Sequence, residues 1–536
     1  MTSIPSPLPT VRADLIAQLA QDRSYDLAVV GGGATGLGVA LDAAARGFSV
    51  VLLEANDFAK GSSSRATKLV HGGVRYLAQG NLSLVREALH ERAVLLSNAP
   101  HLAQPLPFVM PAYRWWEAPF YGLGLAAYDL LAGRSGLGRT ELMGREKTLQ
   151  RLPGASPAGL KGGVQYWDGQ FDDARLALAL ARTAATRGAL LVNHCPVETL
   201  LYEGAKVSGL VCRDAETSQS FTIRARCVVN ATGVWVDTLR AQDSAASGQP
   251  AEPLVSPSQG VHLVVDAEFM PGSHALLVPR TADGRVLFAV PWLGKVVLGT
   301  TDTPRTDTVA EPKPFQSEID FILGESARYL RRAPRASDVR STWVGLRPLV
   351  RPQSQQGGAA ATKKISREHT VMSGPGGLVT VTGGKWTTYR AMAEDVLKHC
   401  AEEGLLALRP AGATNQLPLV GSPAGGRALQ SIGHAPGPHL YGSEAGLLQS
   451  LPGAGTWLAP GLSEAMARFA VRHEYARTVE DVLARRSRLL FLDAAAAGAL
   501  AGRVAALLLE EGVPQPDLAG FEVLWRQFDA TSHQSA

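Results

Sequence analysis

The chain has 536 residues, 46% hydrophobic and 19% charged, and this composition excludes a disordered chain, a collagen and a coiled coil. At about one domain per 150 residues it holds three or so domains, although a large two-domain enzyme fits equally well. A net charge of +4, from 52 basic and 48 acidic residues, is too mild for a dedicated nucleic-acid binder, so no nucleic-acid partner is expected; anionic small molecules or an acidic membrane surface are favoured.

The first 24 residues, with prolines at 5, 7 and 9, lack the basic start and apolar run of a secretory signal and read as a flexible extension. No apolar stretch is long enough to span a bilayer. The four cysteines, Cys195, Cys212, Cys227 and Cys400, show no CxxC and no metal spacing, so no metal is expected and a reducing, intracellular compartment fits best.

The first ordered element is a strand at Tyr25–Val30, followed by Gly31-Gly-Gly-Ala-Thr-Gly36, a small-residue helix over Leu37–Arg46 and a strand at Ser49–Leu53 ending at Glu54. Helical periodicity returns at Leu82–Leu96 and Asp173–Ala185, where Asp172 is placed to cap. Strand patterns occupy Leu190–Val192, Val207–Cys212, Phe221–Ile223 and Cys227–Val229. More follow between 254 and 302, with the alternation of a mostly antiparallel sheet. A strand at Leu378–Val381 meets Gly383-Gly384-Lys385 and a helix to about Cys400; then comes a Pro/Gly-rich linker and a helical end (Ala465–Leu483, Ala494–Leu509). There is no internal repeat.

Gly31-x-Gly33-x-x-Gly36 alone is a weak signal in a chain with 56 glycines, but its context makes it specific. It follows an apolar strand, opens a helix, and is answered 21 positions after Gly33 by Glu54 at the end of the next strand. Gly31 allows the tight turn, Gly33 lets the backbone touch a pyrophosphate, and Gly36 lets helix and strand pack closely. The helix N-terminus offers N–H groups to the anion, and Glu54 is suited to the ribose hydroxyls of an adenosine. Two further strand-end loops, Ala231-Thr232-Gly233 and Gly383-Gly384-Lys385, favour FAD over NAD. If their strands join the same sheet, the glycines line one extended cofactor, and the helix after Gly384 points its positive end at the flavin, where reduction leaves negative charge.

The stretch Gly61-Ser-Ser63-Ser64-Arg65-Ala-Thr67-Lys-Leu-Val-His71-Gly72-Gly73-Val-Arg75-Tyr76-Leu resembles the second flavin-binding segment of aerobic, FAD-dependent glycerol-3-phosphate dehydrogenases. So do Trp343-Val-Gly-Leu-Arg347-Pro, Gly299-Thr-Thr-Asp302, Gly383-Gly-Lys385-Trp-Thr387-Thr-Tyr389-Arg390 and the late Arg472–Arg486 motif, in the family's order over roughly residues 24 to 530. The resemblance implies an α/β protein, α+β overall, with three parts. These are a Rossmann-like FAD-binding domain (about 25–110, 165–250 and 340–400), an antiparallel-sheet substrate domain (about 111–164 and 251–339), and an α-helical C-terminal domain with its linker (401–536).

It also implies oxidation of sn-glycerol 3-phosphate at C2, by hydride transfer to flavin N5, with a membrane quinone as acceptor. Arg75, Tyr76, Arg347 and Lys385 form the implied substrate site; charge-assisted bonds from arginine suit a phosphate that carries nearly two negative charges. Gly31, Gly33, Gly36, Glu54, Ser63, Ser64, Thr67, Gly72, Gly73, Ala231, Thr232, Gly233, Gly384, Lys385 and Thr387 are the candidate FAD contacts. His71 and His262 compete as the base, and Arg347 is placed to stabilise the developing alkoxide.

Related oxidases use oxygen and carry an insertion, of which no clear counterpart is present. An amine or amino-acid oxidase of the same fold would need a carboxylate clamp and an uncharged pocket, and a non-enzymatic flavin sensor would not need three cations. The stretch Tyr113-Arg-Trp-Trp116 and Phe120–Leu131 fits either a bilayer interface or a helix packed on the C-terminal domain. The basic C-terminal residues (Arg468 to Arg488), punctuated by Glu474, Glu480 and Asp481, read first as a salt-bridged surface or domain interface, with an anionic-lipid surface as the alternative. A cytoplasmic enzyme, peripheral on the inner face of the membrane, is the expected location, and a homodimer is compatible with the resemblance.

Overall fold

A computed structural model describes residues 8–73, 81–281, 284–351, 369–426, 428 and 430–529. Arg75 and Tyr76 lie outside the described residues. The run Leu27-Ala-Val-Val becomes the buried end of strand Ser24–Val30, at the middle of a parallel sheet. Parallel strands buried on both faces need such unbroken apolar runs. Across the sheet the order is His369–Ser373, Val379–Gly383, Ser220–Asn230, Ser24–Val30, Val50–Leu53 and Leu190–Val192; only the first runs antiparallel to its neighbour. Helices Ala34–Ala45, Asp173–Thr186 and Tyr389–Glu402 share a core with one face, and the Asp172 carboxylate caps the second by accepting from Arg175 N at 3.2 Å.

Phe221–Ile223 and Cys227–Val229 turn out to be one strand, Ser220–Asn230. Burial alternates over its first half, which pairs with Lys206–Arg213 in a three-stranded meander, and becomes continuous where it enters the parallel sheet.

The second sheet is mostly antiparallel and centres on the long strands Val255–Asp266, Ser341–Val350, Ala103–Ala112 and Gly162–Phe171. Three of these four strands therefore lie largely in stretches that the sequence reading gave to the FAD-binding part. Alternating apolar residues mark a strand but do not say which sheet it joins. One apolar core runs from this sheet (Phe108, Trp292, Trp343) into the C-terminal helices (Phe469, Leu490, Phe491, Phe528), so the two parts are packed as one body.

Two expectations need correction. Residues 12–19 are a docked helix, Arg12–Leu19, rather than part of a flexible extension. Arg12 bonds the Asn193 carbonyl at 2.6 Å and pairs with Asp214, and Thr10 N donates to Arg472 O at 2.8 Å. The helix expected over Ala465–Leu483 is broken: Glu464–His473 ends, Tyr475 takes a left-handed φ of +58°, and Asp481–Arg486 follows as a π-helical turn. The break lets the Tyr475 ring meet Phe58 of the FAD-binding part edge-on at 5.2 Å.

Candidate active site

The parallel register puts Val30 beside Leu53 and Asn230, and Asn230 beside Thr380, so the loops after these strands open at one end of the sheet. Gly31 there has φ +108°, and a Cβ on it would lie 2.6 Å from Ala231 O. A Cβ on Gly36 would lie 1.9 Å from Gly31 O. Neither position can carry a side chain. A Cβ on Gly33 would meet only Ser63 Oγ, at 3.1 Å, and this Gly33 caps helix Ala34–Ala45 without a side-chain bond. That helix start, bare at Gly33 and with Ala34 N donating to Ser63 Oγ at 2.9 Å, is the cradle a pyrophosphate requires, and the residues present fit FAD. Glu54 stands at the rim, accepting from Gly32 N at 2.6 Å and Asn56 N at 2.8 Å.

The three sheet-end loops converge. Ala231 packs on Gly31, Thr232 Oγ1 donates to Asn230 Oδ1 at 2.7 Å, and Gly233 O accepts from Thr382 Oγ1 at 3.4 Å. Gly383 and Gly384 take φ values of +81° and +72°, which turn the chain from strand Val379–Gly383 into the helix of Trp386 onward. A Cβ on Gly384 would lie 2.5 Å from Met392 Sδ. Lys385 is half-buried at the start of that helix. Trp386 Nε1 donates to Ser63 O at 2.8 Å and Thr387 Oγ1 to His71 O at 3.4 Å, joining this loop to the Gly61–Gly73 segment.

That segment also crosses the second sheet. Ser62 Oγ donates to Leu346 O, Arg65 Nη1 donates to Val344 O at 3.1 Å, and Gly345 leaves room for Arg65 O at 2.9 Å from where a Cβ would sit. Thr67 Oγ1 lies 2.9 Å from His262 Nε2, and the imidazole stacks on Trp343, its cross-strand partner, at 5.3 Å and 17°. Burial, then the cations Arg347 and Lys68, hold the His262 pKa well below the ordinary histidine value, so the ring is neutral at physiological pH. Its Nδ1 is buried without a hydrogen-bond partner among the described residues.

Arg347 lies on strand Ser341–Val350, where its guanidinium bonds Gln259 O at 3.2 Å, Thr301 O at 3.0 Å, Thr300 Oγ1 at 3.2 Å and Asp302 Oδ1 at 3.3 Å. Gly260 gives it room, since a Cβ there would sit 2.3 Å from Nη2. Arg347 is thus an oriented charge rather than a flexible clamp.

His71 is half-buried, and Gly72 and Gly73 follow it buried, Gly73 at φ +78°. Gly72 N donates to Asp168 Oδ1 at 3.2 Å, and the same carboxylate accepts from Arg92 Nη1 at 2.8 Å and Tyr128 OH at 3.2 Å. A Cβ on Gly72 would lie 2.2 Å from Tyr128 OH. Sequence reasoning missed Asp168, which belongs to a distant strand, and it missed Lys68, which is fully buried although it lies inside a quoted motif.

From Glu474 on, the Arg472–Arg486 motif forms a largely buried interface, as its charge pattern indicated, while Arg472 stays exposed against Glu511. Asp57, just beyond Glu54, accepts from both Arg485 and Arg486, Lys60 Nζ meets Glu480 at 2.6 Å, and His194 Nε2 meets Asp481 at 2.9 Å. Burial opposes it, but Arg485 and Lys60 bring the Glu480 carboxyl down from 4.5 to about 2.

The comparisons agree with this geometry. The model of the FAD-dependent oxidoreductase family matches residues 26–390, and that of the C-terminal domain of alpha-glycerophosphate oxidase matches 439–512. The human mitochondrial glycerol-3-phosphate dehydrogenase is 40% identical over 558 residues, covering 97% of this chain and 73% of the human one. The mitochondrial enzyme of Arabidopsis thaliana is also 40% identical, with 93% and 84% covered. The structure of glycerol-3-phosphate dehydrogenase from Bacillus halodurans, complexed with FAD, superposes with a TM-score of 0.75 at 30% identity, covering 96% of this chain and 97% of that one. From its FAD cradle to its C-terminal interface, the chain belongs to the FAD-dependent glycerol-3-phosphate dehydrogenase family.

Proposed function

We propose that the protein oxidises sn-glycerol 3-phosphate at C2 to dihydroxyacetone phosphate and passes the electrons to a membrane quinone. The observation that carries this reading is a neutral, buried His262, which meets the segment joining the two sheets through Thr67, with the fixed Arg347 guanidinium acting on it by charge. FAD, when bound, supplies the two-electron acceptor. Neutral His262 accepts the C2 hydroxyl proton at Nε2 by way of the Thr67 hydroxyl, which gives its own proton to Nε2 as it takes the substrate's, and a base so placed contributes roughly 10²- to 10⁴-fold. His71, tied to Thr387 through its carbonyl, is the competing base. Arg347 stabilises the alkoxide that forms, and with Lys385 and Arg75 it draws the phosphate in. Tyr76 completes the substrate site.

Ser63, Ser64, Thr67, Gly72 and Gly73 line the flavin side of the segment, while Gly31, Gly33, Gly36, Glu54, Ala231, Thr232, Gly233, Gly384 and Thr387 line the dinucleotide side. Anaerobic addition of glycerol 3-phosphate to the purified flavoprotein tests the reading: the flavin colour bleaches if it holds and persists if it does not.

The membrane part of the proposal rests on helix Glu117–Ala132. Among the described residues, no helix is long and apolar enough to cross a membrane. This one packs Leu125 and Tyr128 inward, but Phe120 is 66% exposed, Leu123 78% and Leu130 83%, with Trp115 just before it at 82%. Soluble proteins rarely leave such a set together, whereas an interfacial helix requires it. The protein then sits peripherally on the inner face of the cytoplasmic membrane, within reach of its quinone. Liposome flotation checks this, and protein left at the bottom of the gradient contradicts it.

A further inference from the structure

Behind the His262 side of the site lie two fully buried cations from opposite ends of the chain. Lys68 belongs to the Gly61–Gly73 segment, and Arg488 comes from the C-terminal domain. Both donate to Ser64 O at 2.8 Å. Both also reach one carboxylate: Lys68 Nζ meets Asp173 Oδ2 at 2.7 Å and Arg488 Nη2 meets Oδ1 at 3.1 Å, while Asp173 Oδ2 also accepts from Ala66 N at 3.0 Å. Residues 64, 66 and 68 are thus pinned in succession, and Thr67, between two of them, holds its Oγ1 at 2.9 Å from His262 Nε2.

The backbone shows how tightly the segment is held. Lys68 has φ +66°, a left-handed conformation that costs a non-glycine residue roughly 1–3 kcal/mol and survives only where the surroundings over-determine it. The surroundings here are aromatic as well as ionic. Lys68 Nζ lies 5.0 Å from the Trp292 ring, 5.2 Å from Trp343 and 5.3 Å from Phe491, and Arg488 lies 4.2 Å from Phe491. Trp343 is the ring on which His262 stacks. Burial in this cage brings the Lys68 amine down to about 7, against the pull of Asp173.

We propose that Lys68 and Arg488 are positioning residues for the oxidation: through Ser64 O and Asp173 they lock Thr67 against His262, so that the C-terminal domain completes the active site. An ion pair that only glued domains together would have no need to converge on the residues flanking the His262 partner. The cluster also acts on His262 through charge. The charged groups facing His262 are Arg347, with Asp302 behind it, and Lys68, with Asp172, Asp173 and Arg488 behind it.

The inference rests on the proposed oxidation, and its test separates the two. Lys68→Met removes the cation at similar length, and Arg488→Lys keeps a charge but gives up the planar guanidinium whose Nη1 is anchored on Ala484 O at 2.9 Å while Nη2 bonds both Ser64 O and Asp173 Oδ1. Each is purified with FAD and compared with wild type in FAD release on dilution, flavin reduction by glycerol 3-phosphate per bound flavin, and the pH at which that rate falls on the acid side. The expected result is faster FAD release in both variants and reduction slower by about 10- to 100-fold at little-changed KM, as for a misplaced catalytic group.

In Lys68→Met the acid limb moves to higher pH as well, because His262 protonates more readily without a cation beside it. Lower melting temperature with wild-type FAD release, reduction rate and acid limb overturns the inference. If Lys68→Met does not fold, Arg488→Lys carries the release and rate readings. A wild type that fails to bleach removes the proposed oxidation instead, and FAD release still reports on the cluster.

Discussion

At the carboxyl ends of the parallel strands, recognition depends on side chains that are missing; at the seam with the C-terminal helices, it depends on side chains that arrive. Gly31, Gly33 and Gly36 make the cradle by leaving backbone bare, and a single Cβ at Gly36 would strike Gly31 O. Asp57, four positions beyond Leu53 and the end of its strand, works the opposite way, gathering Arg485 and Arg486 from more than four hundred residues along the chain. The first construction is local, and one residue too large abolishes it. The second is distributed, so one residue too few leaves charges stranded in a dry interior.

The most drastic way to break the comparison is Gly36→Val. The added carbons collide with backbone, which cannot swing aside, so FAD-containing protein should be lost altogether, as read by visible flavin absorbance per protein. Asp57→Asn should cost about 3–5 kcal/mol in denaturant melts, because two buried arginines lose their carboxylate. Whatever folded protein remains should still bind FAD in the untouched cradle. Equal flavin loss in both variants would erase the distinction between the two regions.

His262→Ala sharpens the contrast from the side of the chemistry. Flavin reduction by substrate should fall by roughly 10²- to 10⁴-fold with FAD retained. If instead His71→Ala alone slows the reaction, the base is His71.

Acid weakens the seam through its carboxylates. The Glu480 carboxyl is held down at about 2, below its ordinary 4.5, so its share of stability is complete above 4.5 and is lost as pH falls toward 2. Asp481, held well below its ordinary value by His194, Arg485 and Arg486 although burial opposes them, follows the same direction. His194 has the opposite sign: burial lowers it, Asp481 outweighs burial and raises it, and its share is lost as pH rises through the raised value. Thermal melts across acid pH should therefore show loss of C-terminal docking, followed by protease sensitivity near residues 474–488. The smallest change in stability, within about 0.5 kcal/mol, is expected for Leu123→Ser with Leu130→Ser, since both side chains point outward. That double variant should nonetheless stop floating with liposomes.

What could be read from the sequence follows the same divide. The Gly31–Gly36 turn, Glu54, the two later glycine loops and the Asp172 cap were legible because each is a short pattern tied to its own strand or helix. The convergence of Gly233 and Gly384 with Gly31 needed only the premise that their strands share a sheet, and they do. Other features were hidden. The docked helix Arg12–Leu19 has no strong amphipathic pattern, and it is held by Arg12 reaching Asp214 and the Asn193 carbonyl, contacts that no local window contains. Lys68 reads as a surface lysine until Trp292, Trp343 and Phe491 from three other elements enclose it. Asp168 reads as an ordinary strand residue until Gly72, Arg92 and Tyr128 converge on it. The sheet membership of Ala103–Ala112 and Ser341–Val350 was likewise hidden: both fall in stretches assigned to the FAD-binding part, and their largely continuous burial does not say which sheet they join.

One experiment reaches the centre of the account. Wild-type protein carrying FAD is mixed with glycerol 3-phosphate in the absence of oxygen while the visible flavin spectrum is followed, and His262→Ala is run beside it. Rapid bleaching of the wild type, with slow bleaching of the variant at equal flavin content, is the expected result. A flavin that stays oxidised in the wild type, or a variant that bleaches as fast, contradicts it.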